Sequence, residues 1–241
     1  MVTALIFAGG TGSRMNSRSK PKQFLSLFGK PIIIHTLEHF EYSEEIDSIA
    51  VVCRESWIDY LKQQLKVNYF EKIRWVVPGG DTGQQSIYNG LKAIRAACED
   101  PGETIVLIHD GVRPLISGQL ISDNIAAVRQ FGSAITVTRA VETVIMTDEK
   151  NEIVDILNRS NAKIAKAPQG FYLQDILAAH EQAIADGIAK MIDSASLMRH
   201  YGHKLHTVDG PVENIKITTP SDYYTFRAIY EAKENSQIFG L

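Results

Sequence analysis

The segment Thr3–Met15 reads TALIFAGGTGSRM and joins a short apolar, β-branched run, Thr3–Ala8, directly to a glycine-rich loop. Such a run is typical of a strand that is buried on both faces. Glycines after a strand let the backbone approach a ligand closely, and the amides of such a loop can face phosphate oxygens. The segment therefore predicts a buried strand that ends in a phosphate-binding loop.

Similar apolar runs recur along the chain and alternate with segments of helical period. Further strands are predicted at Ser48–Cys53, Ile73–Val77, Thr104–His109, Ala134–Val137 and Lys204–Val208. Helices are predicted at Ile32–Phe40, Trp57–Leu65, Ser86–Ala97, Leu173–Ala185, Asp193–His200 and from about Pro220, with Thr219 as N-cap and Asp222 as the acid of the first turn. This alternation indicates an α/β fold, a Rossmann-like, mostly parallel sheet with helices on both faces.

Residues 140–158 interrupt the alternation. They read as two extended segments around the polar turn Thr147–Glu152, which predicts an inserted β-arm that projects from the sheet. No internal repeat or low-complexity linker divides the chain. We therefore expect residues 1–241 to form one domain.

Composition limits the class of protein. With 241 residues, 44% of them hydrophobic and 22% charged, the chain can bury a substantial core. Met1–Ser13 is too short to span a bilayer and has no basic leader, so we expect a cytoplasmic protein without a membrane anchor. Cys53 and Cys98 lie in apolar patterns without CxxC spacing, which indicates buried free thiols.

The net charge of −3 is unevenly distributed and argues against a general nucleic-acid binder. No acidic residue precedes Glu38, whereas that stretch contains Arg14, Arg18, Lys20, Lys22 and Lys30. A basic N-terminal region favours an anionic ligand such as a polyphosphate, although a solvated basic loop would have the same composition.

Two familiar nucleotide motifs do not fit the glycine loop. The dinucleotide fingerprint GxGxxG, counted from Gly10, would need glycine where Met15 stands, and no GK[ST] closes a P-loop. Neither NAD binding nor a Walker-type ATPase is supported.

The pattern GGxGxRM at residues 9–15, followed by PKQ at residues 21–23, resembles the signature of the sugar-alcohol-phosphate cytidylyltransferases. This family comprises methylerythritol 4-phosphate enzymes of isoprenoid synthesis and ribitol 5-phosphate enzymes of teichoic acid and capsule synthesis. Collinear matches continue through Gly79–Asp81 with Ser86, His109–Pro114, Asn158–Arg159, Ala167–Gln169, Asp193–Ser196 and Asn214–Thr218. The resemblance implies a nucleotidyltransferase fold of the glycosyltransferase-A-like type.

The resemblance also implies the reaction, in which CMP passes from CTP to an alditol phosphate with release of pyrophosphate and with Mg²⁺ as cofactor. CTP carries about four negative charges, so an anionic nucleophile needs cations on the phosphates more than it needs a base. By resemblance, the catalytic cations are Arg14, Lys22, Lys216 and Arg159. The arginine at 159 would reach the acceptor phosphate in a neighbouring subunit, which implies a homodimer with the arm as its contact.

The resemblance assigns the remaining site residues. Nucleotide binding is expected at Phe7, Ala8, Gly9, Gly10, Thr11, Gly12, Ser13, Gly79, Gly80, Asp81, Ser86 and Asp110, and acceptor binding at Arg113, Thr143, Arg159 and Ile192. Asp110 is also the expected Mg²⁺ ligand; it follows a predicted strand, where open parallel sheets bind ligands, although it could instead cap a helix or pair with Arg113. Lys216 lies in a short apolar strand pattern, an awkward place for an ammonium that does not face an anion.

The sequence also departs from the family pattern. Gly83 stands where an arginine is common, Ile192 where an acceptor-contacting threonine is usual, and one extra residue separates Arg14 from Lys22. Val112 in HDGVRP resembles the ribitol branch, because the methylerythritol enzymes usually carry alanine there. We therefore expect D-ribitol 5-phosphate as acceptor. The alternatives are 2-C-methyl-D-erythritol 4-phosphate and, in another class, a non-catalytic CTP-binding protein.

Overall fold

The computed structural model describes residues 1–9 and 20–239, with side chains up to residue 235. In chain order the strands are β1 (Val2–Ala8), β2 (Ser26–Leu27), β3 (Lys30–Pro31), β4 (Ser48–Cys53), β5 (Ile73–Pro78), β6 (Ile105–Asp110), β7 (Ser133–Arg139), β8 (Ile145–Thr147), β9 (Ile153–Ile156), β10 (Lys163–Tyr172) and β11 (Thr207–Asp209). The helices are α1 (Ile32–Glu41), α2 (Ile58–Val67), α3 (Gly83–Ala96), α4 (Gly118–Phe131), α5 (Leu173–Ala185), α6 (Ser194–His200) and α7 (Pro220–Phe239). Short 3-10 helices occur at Lys22–Phe24 and Glu55–Trp57.

Seven strands form the central sheet in the order β11-β7-β10-β6-β1-β4-β5. β1 pairs in parallel with β4 on one side and β6 on the other, and within the described part of this seven-stranded sheet only β10 runs antiparallel to the other strands. The expected mostly parallel sheet is therefore confirmed, with β1 near its centre.

Side chains of β1 alternate between two cores because successive residues of a strand point to opposite faces. Ala4 and Ile6 pack in a cluster with residues of α1, α2 and α4, whereas Leu5 packs with residues of α3, α5 and α6. Helices thus cover both faces of the sheet, as the apolar runs predicted.

Two large elements were missing from the sequence prediction. β10 contains Lys166, Pro168 and Gly170 where a central strand normally has apolar residues. It nevertheless pairs with both β6 and β7, and its register against β7 shifts between Ala165 and Gln169. The second element, α4, carries ordinary helix signals: Ser117 caps its N-terminus by accepting from Leu120 N, and Gly132 ends it with φ +79°.

Other boundaries were predicted closely. Thr219 Oγ1 accepts from Asp222 N at 3.3 Å and the Asp222 carboxylate accepts from Thr219 N at 2.8 Å, so the capping box of α7 is confirmed. The strand predicted at Lys204–Val208 begins only at Thr207, and the strand pattern predicted around Lys216 was wrong, because residues 214–218 form no strand. That segment is anchored by its backbone, Ile217 N donating to Val112 O.

The predicted arm contains a hairpin, β8 paired antiparallel with β9, whose residues are all exposed. Cys53 and Cys98 are buried free thiols, as expected. Across the part of the chain that is described, no helix combines the length and apolar character that crossing a bilayer requires.

Candidate active site

A cavity of about 350 Å³ opens at the ends of β1 and β6, beside the first residues of α3 and α6 and the irregular part of β10. Its position at the carboxyl ends of parallel strands is the usual ligand site of open α/β sheets. The residues that line it are Phe7, Gly83, Gln84, Ile87, Ile108, Asp110, Arg113, Ala165, Lys166, Ala167, Gln169, His180, Met191, Ile192, Asp193, Ser194, Leu197 and Lys216.

Asp110, the last residue of β6, binds two cationic side chains in this cavity. Lys216 Nζ lies 2.5 Å from Oδ1, and Arg113 Nε donates to Oδ2 at 2.7 Å. Arg113 also donates from Nη1 to the Asn214 carbonyl at 3.0 Å, and the Asn214 amide donates to the Ala167 carbonyl at 2.7 Å. The segment that carries Lys216 is therefore tied to β6 and β10 at the cavity.

The cluster keeps Asp110 ionised. Burial alone would raise the pKa of this carboxyl, but the charges and hydrogen bonds of Lys216 and Arg113 outweigh that effect and lower its pKa to about 2. The two cations and one carboxylate together leave one positive charge facing the cavity, as binding of a phosphate requires.

His109 orients the turn after β6. Burial lowers its pKa to about 3, so the ring is neutral at pH 7, and its Nε2 lies 3.2 Å from the Arg113 carbonyl. A neutral ring with a backbone acceptor at Nε2 is a donor there. It thereby holds the backbone that places Arg113 over Asp110.

The proposed nucleotide side of the site depends on close backbone packing. Gly80 N donates to Ser86 Oγ at 3.0 Å, and a Cβ at either Gly9 or Gly79 would lie 3.1 Å from that same oxygen. A side chain at either glycine would have to push the serine aside by a few tenths of an ångström, so the close approach of the loops after β1 and β5 favours glycine at both positions. Asp81 follows them as an exposed residue.

The PKQ segment is held at the end of β1. Gln23 is 1% exposed, and its Nε2 donates to the Ala8 carbonyl at 2.6 Å, so the helix that begins at Lys22 starts beside that strand. The predicted site residues Gly10, Thr11, Gly12, Ser13 and Arg14 lie outside the described residues.

The arm residues do not meet the cavity of their own chain. Thr143 and Arg159 are exposed, and Arg159 Nη1 donates to the Val141 carbonyl at 3.2 Å. Ile192 lies at the cavity rim with 94% of its surface exposed. Of the predicted acceptor residues, only Arg113 belongs to the charged cluster within one chain.

Val112 does not touch this cavity. Its side chain is buried in a cluster with Ile217 and Phe226. The valine therefore packs beneath the segment that carries Lys216 and does not line the cavity.

Several cavity residues had not been predicted as site residues. Gln84 holds the loop before α6, donating to Ile188 O and accepting from Met191 N, and Gln169 donates to Asp193 Oδ2 while accepting from Ala195 N. Lys166 supplies a third cation. Gln84 and Gln169 lie within the motif regions 79–86 and 167–169, and Lys166 lies directly before the second, which is the signal that could have indicated them. The place of Lys166 and Gln169 in the cavity depends on the path of β10.

Comparison with known proteins matches this architecture to one family. The family model described as 2-C-methyl-D-erythritol 4-phosphate cytidylyltransferase matches residues 2–232. The chain is 52% identical over 240 residues to a ribitol-5-phosphate cytidylyltransferase of Vibrio parahaemolyticus and 49% identical over 241 residues to one of Streptococcus agalactiae, with 100% of both chains covered in each case. The structure resembles 4-diphosphocytidyl-2C-methyl-D-erythritol synthase of Anaerococcus prevotii with a TM-score of 0.82 at 32% identity, covering 95% of this chain and 96% of that one. The resemblance seen in the motifs is confirmed: the chain belongs to the 2-C-methyl-D-erythritol 4-phosphate cytidylyltransferase (IspD) family of nucleotidyltransferases.

Proposed function

We propose that this protein transfers CMP from CTP to D-ribitol 5-phosphate, which yields CDP-ribitol, a precursor for teichoic acid or capsule, and pyrophosphate. The observation that carries the proposal is the end-to-end identity of 49–52% with proteins named ribitol-5-phosphate cytidylyltransferases. Proteins named 2-C-methyl-D-erythritol 4-phosphate cytidylyltransferases are 36–37% identical over 95–98% of the chain.

The charged cluster suits this chemistry. An oxygen of the acceptor phosphate attacks the α-phosphorus of CTP, the bond from that phosphorus to the bridging oxygen breaks, and pyrophosphate leaves. Negative charge gathers on the oxygens around the α-phosphorus, where Lys216 and Lys22 would stabilise it. Because the acceptor is already an anion, the attack needs no general base.

Magnesium would be held at Asp110. Mg²⁺ usually binds one or two carboxylates together with substrate phosphates, and the described residues contain no group of three or more acidic, histidine or cysteine side chains that could hold it alone. A single ionised carboxylate therefore fits an ion that arrives with the nucleotide, provided that Lys216 leaves Oδ1 for the phosphates. The ion, when bound, neutralises charge on the triphosphate.

The arm would complete the acceptor site across a homodimer. Val141, Ile145, Ile153, Val154 and Ile156 are all about half or more exposed, an apolar surface that a lone hairpin would not keep in water. Arg159 follows this hairpin and is exposed, so pairing of the arms would bring it to the partner's cavity.

The experiment that tests the proposal measures pyrophosphate release from CTP and Mg²⁺ with D-ribitol 5-phosphate or 2-C-methyl-D-erythritol 4-phosphate as acceptor. We expect a higher kcat/KM with the ribitol ester. A preference for the methylerythritol ester would assign the chain to the other branch that the family name describes. CTP binding without pyrophosphate release from any alditol phosphate would instead make it a non-catalytic CTP-binding protein.

A further inference from the structure

Lys166 is a cavity cation that no motif indicated. It projects from the part of β10 where the register shifts between Ala165 and Gln169, and such bulges redirect side chains next to active sites. The backbone around it is fixed, because the Ala167 carbonyl accepts from the Asn214 amide and the Pro168 carbonyl accepts from Thr136 Oγ1. The position of Lys166 at the cavity is therefore set by the fold.

The charges around the cavity leave Lys166 available to an anion. Of the two lining carboxylates, Asp110 is taken by Arg113 and Lys216, and Asp193 accepts from Ser196 N and from Gln169. Within the described residues, no carboxylate lies in salt-bridge distance of the Lys166 ammonium, which donates instead to the Val212 carbonyl at 2.8 Å and more weakly to the Pro211 carbonyl at 3.5 Å.

The position of Lys166 in the sheet separates it from the nucleotide subsite. The Gly79–Ser86 region follows β5, at one edge of the sheet, and the glycine loop follows β1. β10 lies on the opposite side of β1 from β5, with β6 between β10 and β1. At the usual spacing of neighbouring strands, β10 and β1 are therefore about 10 Å apart. Lys166 thus stands on the side of the cavity that the nucleotide leaves for the acceptor.

We propose that the Lys166 ammonium binds the phosphate of the acceptor, together with Lys216, and so selects a phosphorylated alditol. This inference rests on the proposed function. Burial and the charge of Arg113 lower the pKa of Lys166, and the negative charge of a bound phosphate would oppose this lowering.

The test compares Lys166→Met and Lys166→Arg with the matched control Lys163→Met, a lysine of the same strand that pairs with Asp209 and does not line the cavity. In pyrophosphate-release assays we expect Lys166→Met to raise the KM for ribitol 5-phosphate about tenfold or more, because a charge-assisted hydrogen bond is lost. The KM for CTP should stay within about twofold, Lys166→Arg should recover most of the affinity, and the control should match the parent protein.

Other results would overturn the inference. A rise in the KM for CTP alone would place Lys166 on the nucleotide, and an unchanged acceptor KM with a lower melting temperature would reduce it to a tie for the loop at residues 211–212. Calorimetric titration with ribitol 5-phosphate separates this outcome from failure of the proposed function. If the parent protein releases no pyrophosphate but binds the ester through Lys166, the proposed reaction falls and the inference stands; if Lys166→Met binds it equally well, the inference falls.

Discussion

Lys216 and Asp110 form an ion pair of 2.5 Å in which the carboxylate side chain is 7% exposed and the lysine side chain 39% exposed. The buried carboxylate thus holds a partly solvated ammonium at the cavity, with Arg113 on its second oxygen at 2.7 Å. In the proposed reaction this ammonium would already lie beside the phosphates, and it would turn from Oδ1 to them when Mg²⁺ binds Asp110. Asp110 therefore acts first as the group that positions Lys216.

This arrangement predicts a pH-dependent contribution of Asp110 to stability. Its pKa is lowered from 3.8 to about 2 in the folded chain, so the stabilisation is present above pH 4 and is lost as the pH falls through about 2. Asp110→Asn should lower the free energy of unfolding by about 2 kcal/mol at pH 7, and its deficit should shrink below pH 4. Urea unfolding of both proteins between pH 7 and pH 3 measures this difference; a deficit that stays constant with pH would contradict the assignment.

His180 should make the protein sensitive to mild acid. It is 1% exposed, neither ring nitrogen has a hydrogen-bond partner among the described residues, and burial lowers its pKa from 6.5 to about 4. In the unfolded chain the His180 ring is protonated below about pH 6.5, whereas in the folded chain it is protonated only below about pH 4. The free energy of unfolding therefore falls as the pH falls from 6.5 to 4.

Replacement of this ring removes the effect. His180→Leu should lose less stability than the parent between pH 7 and pH 4.5, with a difference of up to about 3 kcal/mol. Urea unfolding at both pH values is the measurement, and His200→Gln, at an exposed position, is the control. Equal acid sensitivity of parent and His180→Leu would show that another group titrates.

Lys22 is expected to serve the reaction rather than the fold. It begins the 3-10 helix that Gln23 ties to the end of β1, next to the glycine loop. Lys22→Ala should lower kcat by about 10²-fold or more, as removal of single stabilising donors does. Lys30→Ala is the control, because Lys30 pairs with Glu38 at 2.5 Å and is not a predicted site residue. Unchanged turnover in Lys22→Ala would remove it from the site.

The sequence predicted the elements that local patterns determine. The run Thr3–Ala8 is a strand because every residue fits a doubly buried position, and Thr219 with Asp222 is a cap because both partners lie within one turn. β10 was not predicted because Pro168 and Gly170 have low strand propensity, and its conformation is decided by pairing with β6 and β7. Lys166 was missed with it.

The site was predicted by motif, but its geometry was not. Asp110, Arg113 and Lys216 were each assigned to the site from the family resemblance. The pair of Asp110 with Arg113, three residues apart, was one of the alternatives predicted from the sequence and is confirmed. That the same carboxylate also binds Lys216 depends on a backbone contact between Ile217 and Val112 that joins distant parts of the chain. No local pattern in the sequence encodes such a contact.

Gly83 leaves room for the arginine that is common in the family. It is the first residue of α3 and lines the cavity, and a Cβ there meets no atom within 4 Å. Gly83→Arg should therefore fold normally and lower the KM for CTP about threefold or more, because it adds a cation that can pair with phosphate. Gly83→Ala separates this from the backbone effect of losing a glycine, which alters stability alone. Equal KM values for the two variants would mean that the added side chain does not reach the nucleotide.

Arg159 provides a test of composite sites. Arg159→Ala and Lys216→Met should each be nearly inactive as pure dimers, the first through a raised acceptor KM and the second through lost phosphate binding. If Arg159 acts across the interface, a mixed dimer has one site with both lesions and one intact site. Random exchange of equal amounts should then restore about a quarter of the parent activity, since half of the dimers are mixed and each has one working site. A mixture no more active than its components would place Arg159 in the site of its own chain or outside the reaction.

The control is a protein that carries both substitutions, Arg159→Ala and Lys216→Met, mixed with the parent protein. If Arg159 acts across the interface, each mixed dimer then has one lesion in each site and no intact site.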